Sequence, residues 1–157
     1  MKITANNSLS AQEAELLTRL EYEGKEIYTK EKIIDYSKNE KTGKYLIKKL
    51  LEKKRLRKII KNIYMLVPMK APYKQWMGNE YLIAKALVRG ANYYIGYFSV
   101  FNSYGFTEQV PRNVYILNDK YSGQKTIFNI GFKLIKVLPN KLYGIESRKI
   151  NREDIMF

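Results

Sequence analysis

The sequence contains no cysteine and no histidine. The first absence removes disulfides, thiolate zinc sites and cysteine nucleophiles together. The second removes the side chain that most often acts as general base or metal ligand near neutral pH. No apolar run reaches the roughly eighteen residues that a membrane-spanning helix needs. Met1 to Gln12 is polar and lacks the apolar core of a signal peptide, so the expected location is the cytoplasm. Carboxylates are scarce as well: 15 Asp and Glu face 29 Lys and Arg in 157 residues, a net charge of +14. A positive field of that strength favours polyanionic partners.

The few acids of the second half do not form a catalytic pattern. Asp119 with Lys125, or Glu146 with Lys149, lacks the two carboxylates and a lysine on neighbouring strand positions that a metal-dependent nuclease uses. Asp119-Lys120-Tyr121-Ser122-Gly123 has the composition of a turn. Ser99 has no histidine to activate it, and no glycine-rich phosphate loop is present. The expectation is a protein that is not an enzyme and carries no cofactor.

The hydrophobic pattern predicts an α+β fold in two parts. Ser10 and Glu13 have capping-box spacing, and Leu16, Leu17 and Leu20 follow at helical spacing, predicting a helix over Ala11–Glu23 ended by Gly24. Ile27-Tyr28 is a short extended piece, and Thr29 caps a second helix over 30–37. A third helix is predicted over 41–54, burying Leu46, Ile47, Leu50 and Leu51. Two β-prone runs then flank Lys61-Asn62, a hairpin turn in which Asn tolerates positive φ. Three helices followed by a hairpin is the order of a winged helix-turn-helix, assigned to residues 1–68. A proline-bearing linker follows.

The second part, 75–157, is predicted as a small α+β domain. It comprises a helix over 75–89, a strand at Tyr93-Tyr94-Ile95, a helix over 98–104, and an antiparallel meander over 113–118, 125–130 and 132–138, with Gly123 and Gly131 in its turns. Of the clustered tyrosines, Tyr93, Tyr94, Tyr97, Tyr104 and Tyr115, core and edge packing is the expected role. Stacking on single-stranded bases is the other use of such a set.

The positive charge is concentrated. Residues 41–61 hold ten bases (Lys41, Lys44, Lys48, Lys49, Lys53, Lys54, Arg55, Arg57, Lys58, Lys61) and one acid, Glu52. A merely solvated helix mixes signs more evenly, so the near-absence of acid points to duplex DNA. Lys44, Lys48 and Lys49 on the third helix suit phosphates, and Lys41 lies on the same outward arc. Thr42, Lys44 and Tyr45 near its start are candidates for base edges. Arg57, Lys58 and Lys61 would reach an adjacent backbone or minor groove from the wing. Two other readings remain: a winged helix serving as a protein–protein adaptor, and an RNA-binding protein whose tyrosines stack bases.

Tyr94-Ile95, Ser99-Val100, Gly105-Phe106-Thr107-Glu108-Gln109-Val110-Pro111, Val114-Tyr115-Ile116-Leu117 and Leu142-Tyr143-Gly144-Ile145 resemble the AbiEi family. These are antitoxins and transcriptional repressors of type IV toxin–antitoxin, or abortive infection, systems. Leu46, Leu50 and a basic wing ending at Tyr64 stand where the family has its DNA-binding domain. The family's wing carries Gly before its Tyr, whereas Asn62-Ile63 precede Tyr64 here. The resemblance implies binding to double-stranded operator repeats, autorepression of the operon, and functional neutralisation of a nucleotidyltransferase-type toxin. It leaves the oligomeric state open.

Overall fold

The computed structural model of the chain describes residues 8–108 and 112–157. Gln109, Val110 and Pro111, which end the resemblance motif, lie outside them. The fold is mixed α+β and divides into two compact units, Met1–Trp76 and Met77–Phe157.

In the first unit, the Ser10 hydroxyl accepts from the Glu13 amide while the Glu13 carboxylate accepts from the Ser10 amide. This capping box starts α1 (Ala11–Glu23), and Gly24, at φ 74°, ends it in the left-handed conformation. β1 (Ile27–Thr29) leads into α2 (Lys30–Asp35), whose first turn is capped by Thr29 accepting from Lys32 N–H. α2 ends sooner than its sequence predicts. α3 (Glu40–Glu52) starts one residue early because Asn39 accepts from the Thr42 amide and becomes the cap.

β2 (Leu56–Ile60) and β3 (Ile63–Leu66) form the expected hairpin, with Asn62 at φ 61° in the turn. β1 joins on the far side of β3, giving an antiparallel sheet of order β1-β3-β2. The core beneath it comprises Leu16, Leu17 and Leu20 of α1, Ile33 of α2, Leu46, Ile47 and Leu50 of α3, and Tyr28, Leu56, Tyr64 and Leu66 of the sheet. Leu51 is only half-buried at its margin.

Gly43 marks where α3 crosses α2. A β-carbon there would stand 2.8 Å from Ile34 Cγ1 and 3.1 Å from Ile34 Cα. Gly43→Val is therefore expected to force the helices apart and destabilise the unit by about 2 kcal/mol, as overpacking does. For a domain this small, that lowers the melting temperature by on the order of 10 °C. Circular dichroism at the helical minimum measures it, and an unchanged melt would refute the close crossing.

In the second unit, α4 (Glu80–Leu87) begins later than the predicted 75 because the Asn79 side chain caps the Tyr81 amide. It is followed by β4 (Tyr93–Gly96), α5 (Phe98–Ser103), β5 (Asn113–Asn118), β6 (Gly123–Ile127) and β7 (Ile130–Lys136). The sheet is not the antiparallel meander that the sequence suggests. Its order is β4-β5-β7-β6, and β5 and β7 run parallel, with Ile116 opposite Leu134. Burial explains the arrangement. β7 carries Phe132 and Leu134 and takes the interior place, whereas β6, Gly-Gln-Lys-Thr-Ile, is exposed almost throughout and forms the edge.

The β6–β7 turn is at Phe128-Asn129, both at positive φ, rather than at Gly131. Gly131 lies within β7, where any β-carbon would collide with the Asn113 side chain. A hairpin that the sequence reading leaves out, β8 (Ser147–Ile150) with β9 (Glu153–Met156), completes the unit. Its Ile155 is buried, and Phe157 beyond it meets the Tyr81 ring edge-on at 5.1 Å. α4 packs on β5 and β9.

Among the described residues, no helix is long and apolar enough to cross a membrane.

Candidate nucleic-acid interface

α3 buries Gly43, Leu46, Ile47 and Leu50 along one side, which leaves Lys41, Lys44, Tyr45 and Lys48 exposed on the opposite arc. Tyr45 is 56% exposed, with the Lys49 ammonium 5.8 Å from its ring centroid. Thr42 is elsewhere. It lies about 120° around the helix from Lys48, half-buried in a groove with Gln12, Arg19 and Tyr36.

The cations of 41–61 are not equally available. Lys44 Nζ is 2.5 Å from Glu40 Oε1, one turn back, and Lys49 Nζ is 3.0 Å from Glu52 Oε2. The Lys44 hydrogen bond and charge hold the Glu40 carboxyl below its ordinary pKa. The hydrogen bond and charge of Glu52 raise the Lys49 ammonium above its own. Lys53 reaches 2.6 Å from Glu13 Oε2, with side-chain exposures of 14% and 4%. Arg55 donates to the Pro68 carbonyl at 3.2 Å and Arg57 to the Trp76 carbonyl at 2.8 Å. Burial lowers the Arg57 guanidinium pKa.

Five cations remain. Among the described residues, no acid is within ion-pair distance of Lys41, Lys48, Lys54, Lys58 or Lys61. Lys58 and Lys61 are exposed on β2 and at the hairpin tip, and Lys54 follows α3 at φ 57°. Nearby Lys74 has a lowered pKa, first from burial and then from the charges of Arg55, Lys54 and Lys53. The segment leaving α3 is thus a region of positive potential.

The candidate residues thus differ in their surroundings. Arg57 is engaged with a backbone carbonyl, and Thr42 is half-buried in a groove beside the lysine arc. Lys54 is exposed. The Glu40–Lys44 neutralisation is legible as an i,i+4 pair. The Glu13–Lys53 pair joins positions forty apart in the chain and is not.

The acids considered for a nuclease site have other partners. Asp119 accepts from the Asn92 amide and side chain at 3.1 and 2.7 Å. Glu146 accepts from the Tyr104 hydroxyl at 2.8 Å. Ser99 is buried, and its hydroxyl accepts from the Tyr115 amide at 3.1 Å and donates to the Asn113 carbonyl at 3.4 Å. It completes the edge of β5 where β4 stops.

No family model matches the chain, and no curated protein matches it either.

Proposed function

We propose that the first unit is a winged helix-turn-helix that binds duplex DNA, with α3 in the major groove and the β2–β3 hairpin as its wing. The observation that carries this reading is a set of lysines on α3 and the hairpin with no acid within ion-pair distance among the described residues: Lys41, Lys48, Lys58 and Lys61. Phosphate contacts of this kind supply affinity and register, and Tyr45, exposed beside them, is the candidate for base contact. Arginine is absent from α3, so backbone affinity exceeds base discrimination.

The family resemblance supplies the physiological frame. The duplex is a set of repeats upstream of the protein's own operon, and repression follows from occluding polymerase. The second unit counteracts a nucleotidyltransferase-type toxin. The protein acts in the cytoplasm, without catalysis or cofactor.

Fluorescence anisotropy on the upstream duplex and a scrambled duplex, across a salt series, tests the reading. A preference for the native duplex that persists at physiological salt is the expected result. Absence of binding to either would make the unit a protein–protein module.

The Glu40–Lys44 pair sharpens the test. Glu40→Gln releases Lys44 and is expected to strengthen duplex binding about fivefold near 0.15 M salt, adding about 0.9 to the salt slope, one phosphate contact. Weaker binding by this variant would show that Lys44 does not face the duplex.

A further inference from the structure

The four-stranded sheet of the second unit has two unlike faces. Ile95, Val114, Ile116, Phe132 and Leu134 share one side and are buried. On the other side the register sets Gly96, Tyr115, Lys133 and Gln124 in one row across β4, β5, β7 and β6. Tyr94 and Leu117 stand beside that row. Gly96 has no β-carbon, and its neighbours Leu117 and Tyr94 occupy that space.

Aromatic rings extend this face onto α5. The Tyr97 and Phe98 rings lie 5.8 and 6.3 Å from that of Tyr115, and Phe101 meets Phe98 at 6.2 Å. Phe98 is 59% exposed and Tyr97 51%. Of the five clustered tyrosines, Tyr97 and Tyr104 are exposed, whereas Tyr93, Tyr94 and Tyr115 are half-buried, as edge packing requires. Lys133 holds its ammonium 5.4 Å from the Tyr115 centroid. Among the described strand residues that face this side, none is acidic.

We propose that this face binds unpaired nucleotides, with bases stacking on Phe98, Tyr97 and Tyr115 and Lys133 taking a phosphate. Every base has a π face, so an exposed ring set accepts single strands with little sequence preference, and adjacent cations follow the backbone. Lys133, with no acidic strand neighbour on this side among the described residues, favours a polyanion over an ordinary protein partner. Lys133 and Tyr115 are both half-buried, and a cation–ring contact of about 1 kcal/mol is readily exchanged for a phosphate. A duplex cannot use the rings, because its bases are stacked on one another. The site is separate from the lysines of the first unit, and the inference does not rest on their role.

The test uses the full chain carrying Lys41→Gln, Lys48→Gln, Lys58→Gln and Lys61→Gln, which silences the first unit's lysine surface. Anisotropy is measured with fluorescein-labelled oligothymidylate and oligouridylate of twelve nucleotides. Binding is expected in this background. Phe98→Ala should weaken it about tenfold, and Lys133→Gln should reduce the salt slope by about 0.7, one single-strand phosphate. Phe98 is exposed and Lys133 half-buried, and unchanged melting temperatures confirm that folding is intact. Preference for uridylate identifies RNA, and equal affinity identifies any single strand; either result supports the proposal. No binding in the quadruple background, or binding indifferent to Phe98→Ala, overturns it and leaves the face to a protein partner.

Discussion

Exchanging Lys41, Lys48, Lys58 and Lys61 together for glutamine is expected to weaken duplex binding about a thousandfold near 0.15 M salt. Each neutralised phosphate contributes about 0.9 to the dependence of log K on log salt, so four contacts account for a slope change of about 3.6. The same loss should appear on cognate and scrambled duplexes, because phosphate contacts carry no sequence information. The substitutions lie on exposed positions of α3 and the β2–β3 hairpin, so the melting temperature should hold. The ion pairs provide an internal control. Lys49→Gln removes a charge already matched by Glu52 at 3.0 Å and should cost less than Lys48→Gln. Equal effects from the two would mean that the pairs open on binding and that total charge, not its arrangement, governs affinity.

The second large effect concerns stability. Glu13 closes the capping box of α1 and also binds Lys53 at 2.6 Å, with its own side chain almost fully buried. Glu13→Gln can still accept from the Ser10 amide, but it leaves the largely buried Lys53 ammonium without its counter-charge. Breaking one partner of such a pair is expected to cost about 3 kcal/mol, lowering the melting temperature by on the order of 15 °C for a unit of this size. Burial raises the Glu13 pKa, but the hydrogen bonds from Lys53 and the Ser10 backbone and the Lys53 charge outweigh it and hold the pKa below the ordinary glutamate value.

A depressed carboxyl contributes stability that is fully present above its unfolded pKa of about 4.3 and is lost as pH falls through the lower folded value. The wild type should therefore lose stability more steeply than Glu13→Gln below about pH 4.5, and the two curves should run parallel above it. Thermal melts across pH 3 to 7 measure this. Parallel curves throughout would show that Glu13 and Lys53 are not coupled. Adding Lys53→Met to Glu13→Gln should recover much of the loss, since it removes the largely buried ammonium that Glu13→Gln leaves without a counter-charge.

Local chemistry was legible from the sequence where a few neighbouring residues decide the outcome. Ser10 with Glu13, the stop at Gly24, the cap at Thr29 and the turn at Lys61-Asn62 are short-range hydrogen-bonding and φ preferences. The core side of α3 followed from its 3.6-residue period. What the sequence left open depends on partners far along the chain. The parallel pairing of β5 with β7 is decided by which strand buries Phe132 and Leu134, and the last hairpin is held by Ile155 at a position with no periodic signal.

The same distinction separates the charged surfaces. The sequence determined that 41–61 is cationic. Only the tertiary structure decided which cations remain available, because the folded chain brings Glu13 against Lys53 and the Trp76 carbonyl against Arg57. Charge is a property of composition, whereas its availability is set by distance, and distance between remote residues exists only once the chain has folded.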